Sequence, residues 1–264
     1  MRIIDVHTHV FPPAVAPRAR EALTVPGRHH AHYDLTLEGL LASMTANGIE
    51  RSWTVPVATR PEQVETINAF ATTQPRDRIT PFGAIHPDVE SPYDVLAGFA
   101  ELGLAGFKIH PDYQDVSPDD PRMEPIYDAA MDFGLIAFFH AGDDVGPRTK
   151  FGTPDVFTRV LDEYPMMTTV LAHFGGFDCW DAVDEHLIGR PGPVYLDTAY
   201  TFGHLAPERF ADMASRHGWD RVLFGTDGPW ADPARDFAAL ASIDLADSDR
   251  AKLMYQNAER LIAR

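Results

Sequence analysis

The sequence predicts a single-domain α/β barrel of the (β/α)8, or TIM, type over residues 1–264. Eight short apolar runs of strand length recur along the chain, and a stretch with helical spacing follows each of them. No linker, low-complexity segment or repeat beyond the βα unit interrupts the pattern. A length of 264 residues is one at which such barrels fold as one domain. A doubly wound open sheet is the alternative, but it normally has fewer strands.

Strands are expected at residues 3–6, 52–57, 79–85, 105–109, 135–140, 168–172, 194–198 and 222–225. Helices are expected between them at 36–47, 62–73, 92–102, 124–133, 154–164, 179–187 and 207–217, with more helix at 233–241 and 248–263. Thr36 before Leu37-Glu38 and Ser91 before Pro92 are start signals, and Gly48, Gly103 and Gly134 are stops. Leu37, Leu40, Leu41 and Met44 fall on one helical face. Two connections are long. Residues 10–33 carry Arg18, Arg20, Arg28, His29, His30 and His32, and read equally as a lid or as solvated surface. Residues 111–123, rich in Asp and Pro, read as solvated surface.

Composition narrows the function. A net charge of -17 repels phosphate backbones and anionic headgroups, which argues against nucleic acid and membrane partners. The global sign does not decide one cleft, where a bound ion can dominate the field. The lone cysteine, Cys179, allows neither an intrachain disulfide nor a thiolate zinc cluster, and is expected to be a small buried residue. With no basic-then-apolar leader and no apolar run of membrane length, a cytoplasmic protein is the default expectation. A small-molecule substrate is expected, and a homo-oligomer is left open.

The first strand runs into Asp5-Val6-His7-Thr8-His9. Strand periodicity puts Asp5, His7 and His9 on one face, with the two imidazoles roughly 7 Å apart at Cα, close enough to share a cation. An H-x-H alone is common by chance. In a barrel, however, active sites gather at the carboxyl ends of the strands. There the fourth strand supplies Lys108 and His110, the fifth His140, the sixth His173 and the eighth Asp227, each beside Gly or Pro or one residue from it. Each taken singly reads as a hydrogen-bonded histidine or, for Asp227, a helix cap. Together they point to a metal centre. His110 and His86, each followed by Pro, read as loop-capping residues, and His186, His204 and His217 as surface.

The order H-x-H, Lys, His, His, Asp resembles the amidohydrolase superfamily. The phrases G-F-K-I-H-P, A-H-F-G-G and F-G-T-D-x-P-W, and the terminal Asn257-Ala258-Glu259-Arg260-Leu261, are similar to its amidohydrolase-related branch, which includes aminocarboxymuconate-semialdehyde decarboxylase. The resemblance runs from residue 2 to about residue 262. It implies that His7, His9, His140 and Asp227 hold one divalent ion and that His173 orients or deprotonates its water. Zn²⁺ suits three nitrogens and a carboxylate best, and Mn²⁺, Fe²⁺ or Co²⁺ also fit. One ion is favoured. Two are implied if Lys108 is carbamylated, since that lysine bridges two metals in binuclear members; otherwise Lys108 is an ammonium for a substrate carboxylate.

Asp227, His173 and Lys108 are thus the expected catalytic groups. Hydrolysis of a C–N or C–O bond (amide, cyclic amide or lactone) is the first expectation, with Asp227 carrying the proton. Non-oxidative decarboxylation of a small aromatic or unsaturated acid is the alternative, and a non-catalytic barrel the third. Phe11, Phe174, Trp230 and Arg148 are candidates for an aromatic, cationic rim that would favour the decarboxylase.

Overall fold

The computed structural model describes residues 2–24, 30–144 and 150–263. Arg28, His29 and Arg148 lie outside these residues. The strands are β1 (Ile4–Thr8), β2 (Arg51–Thr54), β3 (Ile79–Pro81), β4 (Gly83–Ala84), β5 (Gly106–Ile109), β6 (Ile136–Phe139), β7 (Thr169–Leu171), β8 (Val194–Asp197) and β9 (Val222–Leu223). All pairings are parallel, as crossover helices require.

The expected third strand is divided at Phe82 into β3, which pairs with β2, and β4, which pairs with β5. The Phe82 amide still donates to Thr54 O at 3.0 Å, so the wall continues across the break. At the seam, Val6 N donates to Phe224 O and Asp227 N to His7 O, each at 2.9 Å. These bonds join the last strand to the first and close the barrel.

The barrel interior is filled by a cluster that includes Trp53, Phe82, Phe138, Val170 and Tyr195, and a larger apolar layer lies between strands and helices. Full burial of such side chains contributes roughly 1.5–3 kcal/mol each. Helices Pro92–Leu102, Pro207–His217 and Pro233–Ala241 have the bounds expected from the sequence. Leu37–Asn47 is capped as expected: Thr36 Oγ1 accepts from Gly39 N at 3.0 Å, and Gly48 ends it with φ 67°, a conformation glycine adopts without a Cβ clash. The terminal Asn-Ala-Glu-Arg-Leu phrase has a structural role. Asn257 donates to the carbonyls of Trp219 and Val222, and the π-helical turn Lys252–Gln256 ahead of it presents Leu253 O to Phe224 N.

Neither long connection is structureless. Residues 16–23 form a helix, with Ala16 buried beside Leu35 and Trp230. The second begins with the short helix Pro111–Gln114, held because Gln114 Nε2 donates to Ala58 O and Ile85 O. His217 is buried rather than at the surface, bonded to Gly189 N and Val194 O, and Cys179 is only half-buried.

Candidate metal centre and active-site cavity

Strand β1 does not keep strict alternation. Its register against β2 shifts between Asp5 and Thr8, where three steps on β1 span two on β2. Val6 therefore packs in the interior cluster, and His7 also points inward, its ring 5.1 Å from Phe138. Bulges of this kind re-aim side chains beside active sites. Asp5 is separated from the histidines. Its carboxylate accepts from Thr226 N at 3.0 Å and Thr226 Oγ1 at 2.6 Å, fixing the turn that carries Asp227. Gly225 in that turn is needed for space, because a Cβ there would come within 3.0 Å of His7 Cβ.

His7, His9 and Asp227 converge. His7 Nε2 lies 3.2 Å from His9 Nε2 and 3.4 Å from Asp227 Oδ1, and His9 Nε2 is 3.1 Å from the same oxygen. The rings of His7 and His9 are steeply inclined, at 69°, so their lone pairs can meet at one point. His7 Nδ1 donates to Asp197 Oδ2 at 2.8 Å, which leaves Nε2 as the lone-pair nitrogen. Two imidazole nitrogens and a carboxylate oxygen facing one point are the donor set of a divalent cation, and the three residues fit one.

Lys108 and His173 border this trio. Lys108 Nζ is 3.5 Å from His7 Nε2 and 4.3 Å above the Phe138 ring. Burial lowers its ammonium to about 7, with the carboxylates of Asp197 and Asp227 pulling the other way. His173 donates from Nδ1 to Ala199 O at 2.9 Å, which leaves Nε2 as the acceptor end of its ring, 3.0 Å from His140 Nδ1. Burial lowers His173 to about 4 and holds His7 and His140 well below the ordinary imidazole value. His173 and Asp227 both have positive φ, 57° and 70°, a region uncommon for such residues and concentrated at functional sites.

His140 is close to the trio but belongs to a second group with His110 and Asp144. His110 both caps its helix, accepting from Tyr113 N, and lines the cavity. Its Nε2 is 3.4 Å from Asp144 Oδ2. Hydrogen bonding from His110 and the nearby His140 carry the Asp144 carboxyl well below its usual range although burial opposes them. The His110 and His140 rings stack at 3.9 Å with only 12° between their planes. Imidazole binds metals in its own plane, so these two nearly parallel rings aim their lone pairs side by side, a less convergent arrangement than the first trio although the ligand atoms lie within 4.8 Å of one another.

Asp197 escaped the sequence reading. At the end of β8 and fully buried, it accepts from His7 Nδ1 through one oxygen and from the His173 and Ala199 amides through the other. The strand-end rule, applied to residues 194–198, would have found it. Among the expected rim residues, Phe11 and Trp230 line the cavity, whereas Phe174 is buried against Phe210, because its positive-φ turn directs it into the core. His86 is a loop cap, its Nδ1 accepting from Asp88 N.

All of the predicted site residues line one cavity of about 210 Å³ at the carboxyl ends of the strands. The amidohydrolase family profile matches residues 4–264. This chain belongs to the amidohydrolase family. Several of the similar solved structures are named as decarboxylases. A 2,6-dihydroxybenzoate decarboxylase complexed with 2,6-dihydroxybenzoate is 19% identical over 100% of both chains, with a TM-score of 0.75. A 5-carboxyvanillate decarboxylase of Novosphingobium aromaticivorans with bound manganese is 16% identical over 100% of this chain and 97% of its own, with a TM-score of 0.76. A dihydroxybenzoic acid decarboxylase of Polaromonas with bound manganese and 2-nitroresorcinol is 17% identical over 99% and 97%, also at 0.76. At these identities the likeness concerns the fold. No curated protein matches the sequence. This amidohydrolase is a metal-dependent enzyme, and among its described residues no helix is long and apolar enough to cross a membrane.

Proposed function

We propose that this amidohydrolase is a metal-dependent, non-oxidative decarboxylase of a small aromatic or unsaturated carboxylic acid. This replaces the first expectation from sequence, hydrolysis of a C–N or C–O bond. The observation that carries it is the convergent His7–His9–Asp227 trio beside the Lys108 ammonium in a largely apolar cavity. The solved relatives named as decarboxylases support it, and the manganese in two of them favours Mn²⁺ over Zn²⁺.

His7, His9 and Asp227 would hold the ion, with His140 the fourth ligand expected from sequence. When bound, the ion supplies positive charge for the substrate's oxygens. Lys108 lies beside the same point and faces the carboxylate. Cleavage of the C–C bond leaves its electron pair on the former α-carbon, releases CO2 and requires one proton at that carbon. We assign its delivery to His173 Nε2, which must first take the proton up from solvent in the cavity, since Nδ1 already donates to Ala199 O. The apolar wall, with Phe177 and Trp230, favours neutral CO2 over the charged acid.

The test is turnover of a panel of hydroxybenzoates by the Mn²⁺-loaded protein in D2O. The expected result is CO2 release with one deuterium at the carbon that bore the carboxylate. Cleavage of amides or lactones without CO2 would overturn the proposal. It would favour the hydrolytic reading, for which the position of Lys108 near His7 is the supporting observation.

A further inference from the structure

We infer that the cavity has a second compartment, built to take an apolar arm of the substrate that ends in a neutral hydrogen-bond acceptor. The inference rests on the carboxylic-acid reading above and extends it. Helix Val64–Thr72 turns Ile67, Phe70 and Ala71 toward the cavity, and Gln74 follows just past its end. The spacing i, i+3, i+4, i+7 puts all four on one side, a stripe that normally faces a protein core. Here it packs on the core and also borders a cavity shared with the metal trio, and Val57 lines the same space.

The compartment ends in a polar group. Gln74 is only 4% exposed, and its Oε1 accepts from Thr54 Oγ1 at 2.6 Å. Its Nε2 has no hydrogen-bond partner among the described residues, although Gln74 lines the cavity. An amide donor that faces the cavity without a protein partner is available to an acceptor on a ligand. Thr54 is the register partner of Thr8, which lies between His7 and His9, so this compartment opens beside the trio.

Charge defines the other end. Lys108 is the only Lys or Arg among the described residues lining the cavity. A substrate with one carboxylate matches that single ammonium, whereas a second anionic group in the compartment would meet apolar walls, an amide and the hydroxyls of Thr54 and Thr59, with no cation there among the described residues. The substrate class is therefore a monocarboxylic acid whose body continues from the trio past Ile67 and Phe70, with a carbonyl, ether or hydroxyl oxygen reaching Gln74.

The test is calorimetric titration of the Mn²⁺-loaded full chain with benzoate, para-pentylbenzoate and para-(methoxypropyl)benzoate. The two tails are close in length and differ in one oxygen. Burying the pentyl chain is expected to tighten binding by about tenfold or more over benzoate. The ether should bind at least as tightly as the alkyl compound despite its better hydration, and Gln74→Leu should reverse that order. Ile67→Trp, which fills the compartment, should bring the pentyl-to-benzoate affinity ratio towards one. Binding of benzoate with no gain from either tail overturns the compartment and leaves the decarboxylase reading intact. A pentyl gain with the ether bound more weakly than the alkyl compound overturns the role of Gln74. Failure of all three carboxylates to bind overturns the carboxylic-acid reading itself, and this inference with it.

Discussion

Two His–His–Asp groups stand side by side at the barrel mouth. His7, His9 and Asp227 meet with ring planes 69° apart, while His110 and His140 stack 12° from parallel beside Asp144. Residue types and burial are nearly the same in the two groups, so composition does not distinguish them. Orientation does. In the first group Asp197 holds His7 by Nδ1 and turns Nε2 to the centre. In the second, His110 is tied to a helix cap and to Asp144, and its stacking partners Tyr113 and His140 fix its plane. A ligand cluster is thus made by the groups that aim it as much as by the ligands.

The strongest way to break this contrast is to remove the convergent pair. His7→Ala with His9→Ala should abolish bound divalent ion by elemental analysis and lower turnover by roughly a thousandfold or more. A variant that keeps its ion and full turnover would sink the assignment. A sharper comparison pairs one carboxylate from each group. Asp227→Asn should weaken ion affinity about a hundredfold, whereas Asp144→Asn should leave ion stoichiometry as in the parent, both read by titration against a chelator. Equal losses would mean that the stacked group also binds metal.

Asp197→Asn tests the aiming itself. It removes a charged acceptor from His7 without touching the ion, and should weaken ion affinity by about ten- to a hundredfold with the ligands intact. The smallest effect lies outside both groups. Burial lowers His217 to about 4, with the Arg221 charge adding to it. The folded protein therefore prefers the neutral ring, and stability from this residue is complete above the unfolded value of about 6.5 and is lost as pH falls towards 4. Unfolding free energies of the parent and of His217→Gln, from denaturant titrations, should converge over that window by on the order of 1–3 kcal/mol. Parallel pH profiles would contradict a buried neutral imidazole.

Much of this was legible in the chain. Apolar runs bounded by Gly and Pro marked the strands, and Thr36, Ser91 before Pro92, Gly48 and Gly103 marked helix ends, because these signals depend on local backbone sterics and hydrogen bonding. The residues at the strand ends were legible for the same reason, since parallel strands in a barrel bring their carboxyl ends to one mouth. The break at Phe82 was not, because it depends on two different neighbouring strands. Nor was the inward turn of both Val6 and His7, which a bulge against β2 produces where simple alternation would have put Asp5 in the site. His217 looked like surface because nothing local reveals that the 189–194 loop covers it.

The sequence by itself determined the strand and helix order and the set of ligand-type side chains, since both are written in short-range pattern. Tertiary structure decided which imidazoles converge and which stack, which carboxylate aims them, and that one face of helix Val64–Thr72 borders a cavity. Those outcomes depend on directions between groups distant in the chain, and a direction in space is set only when the barrel closes.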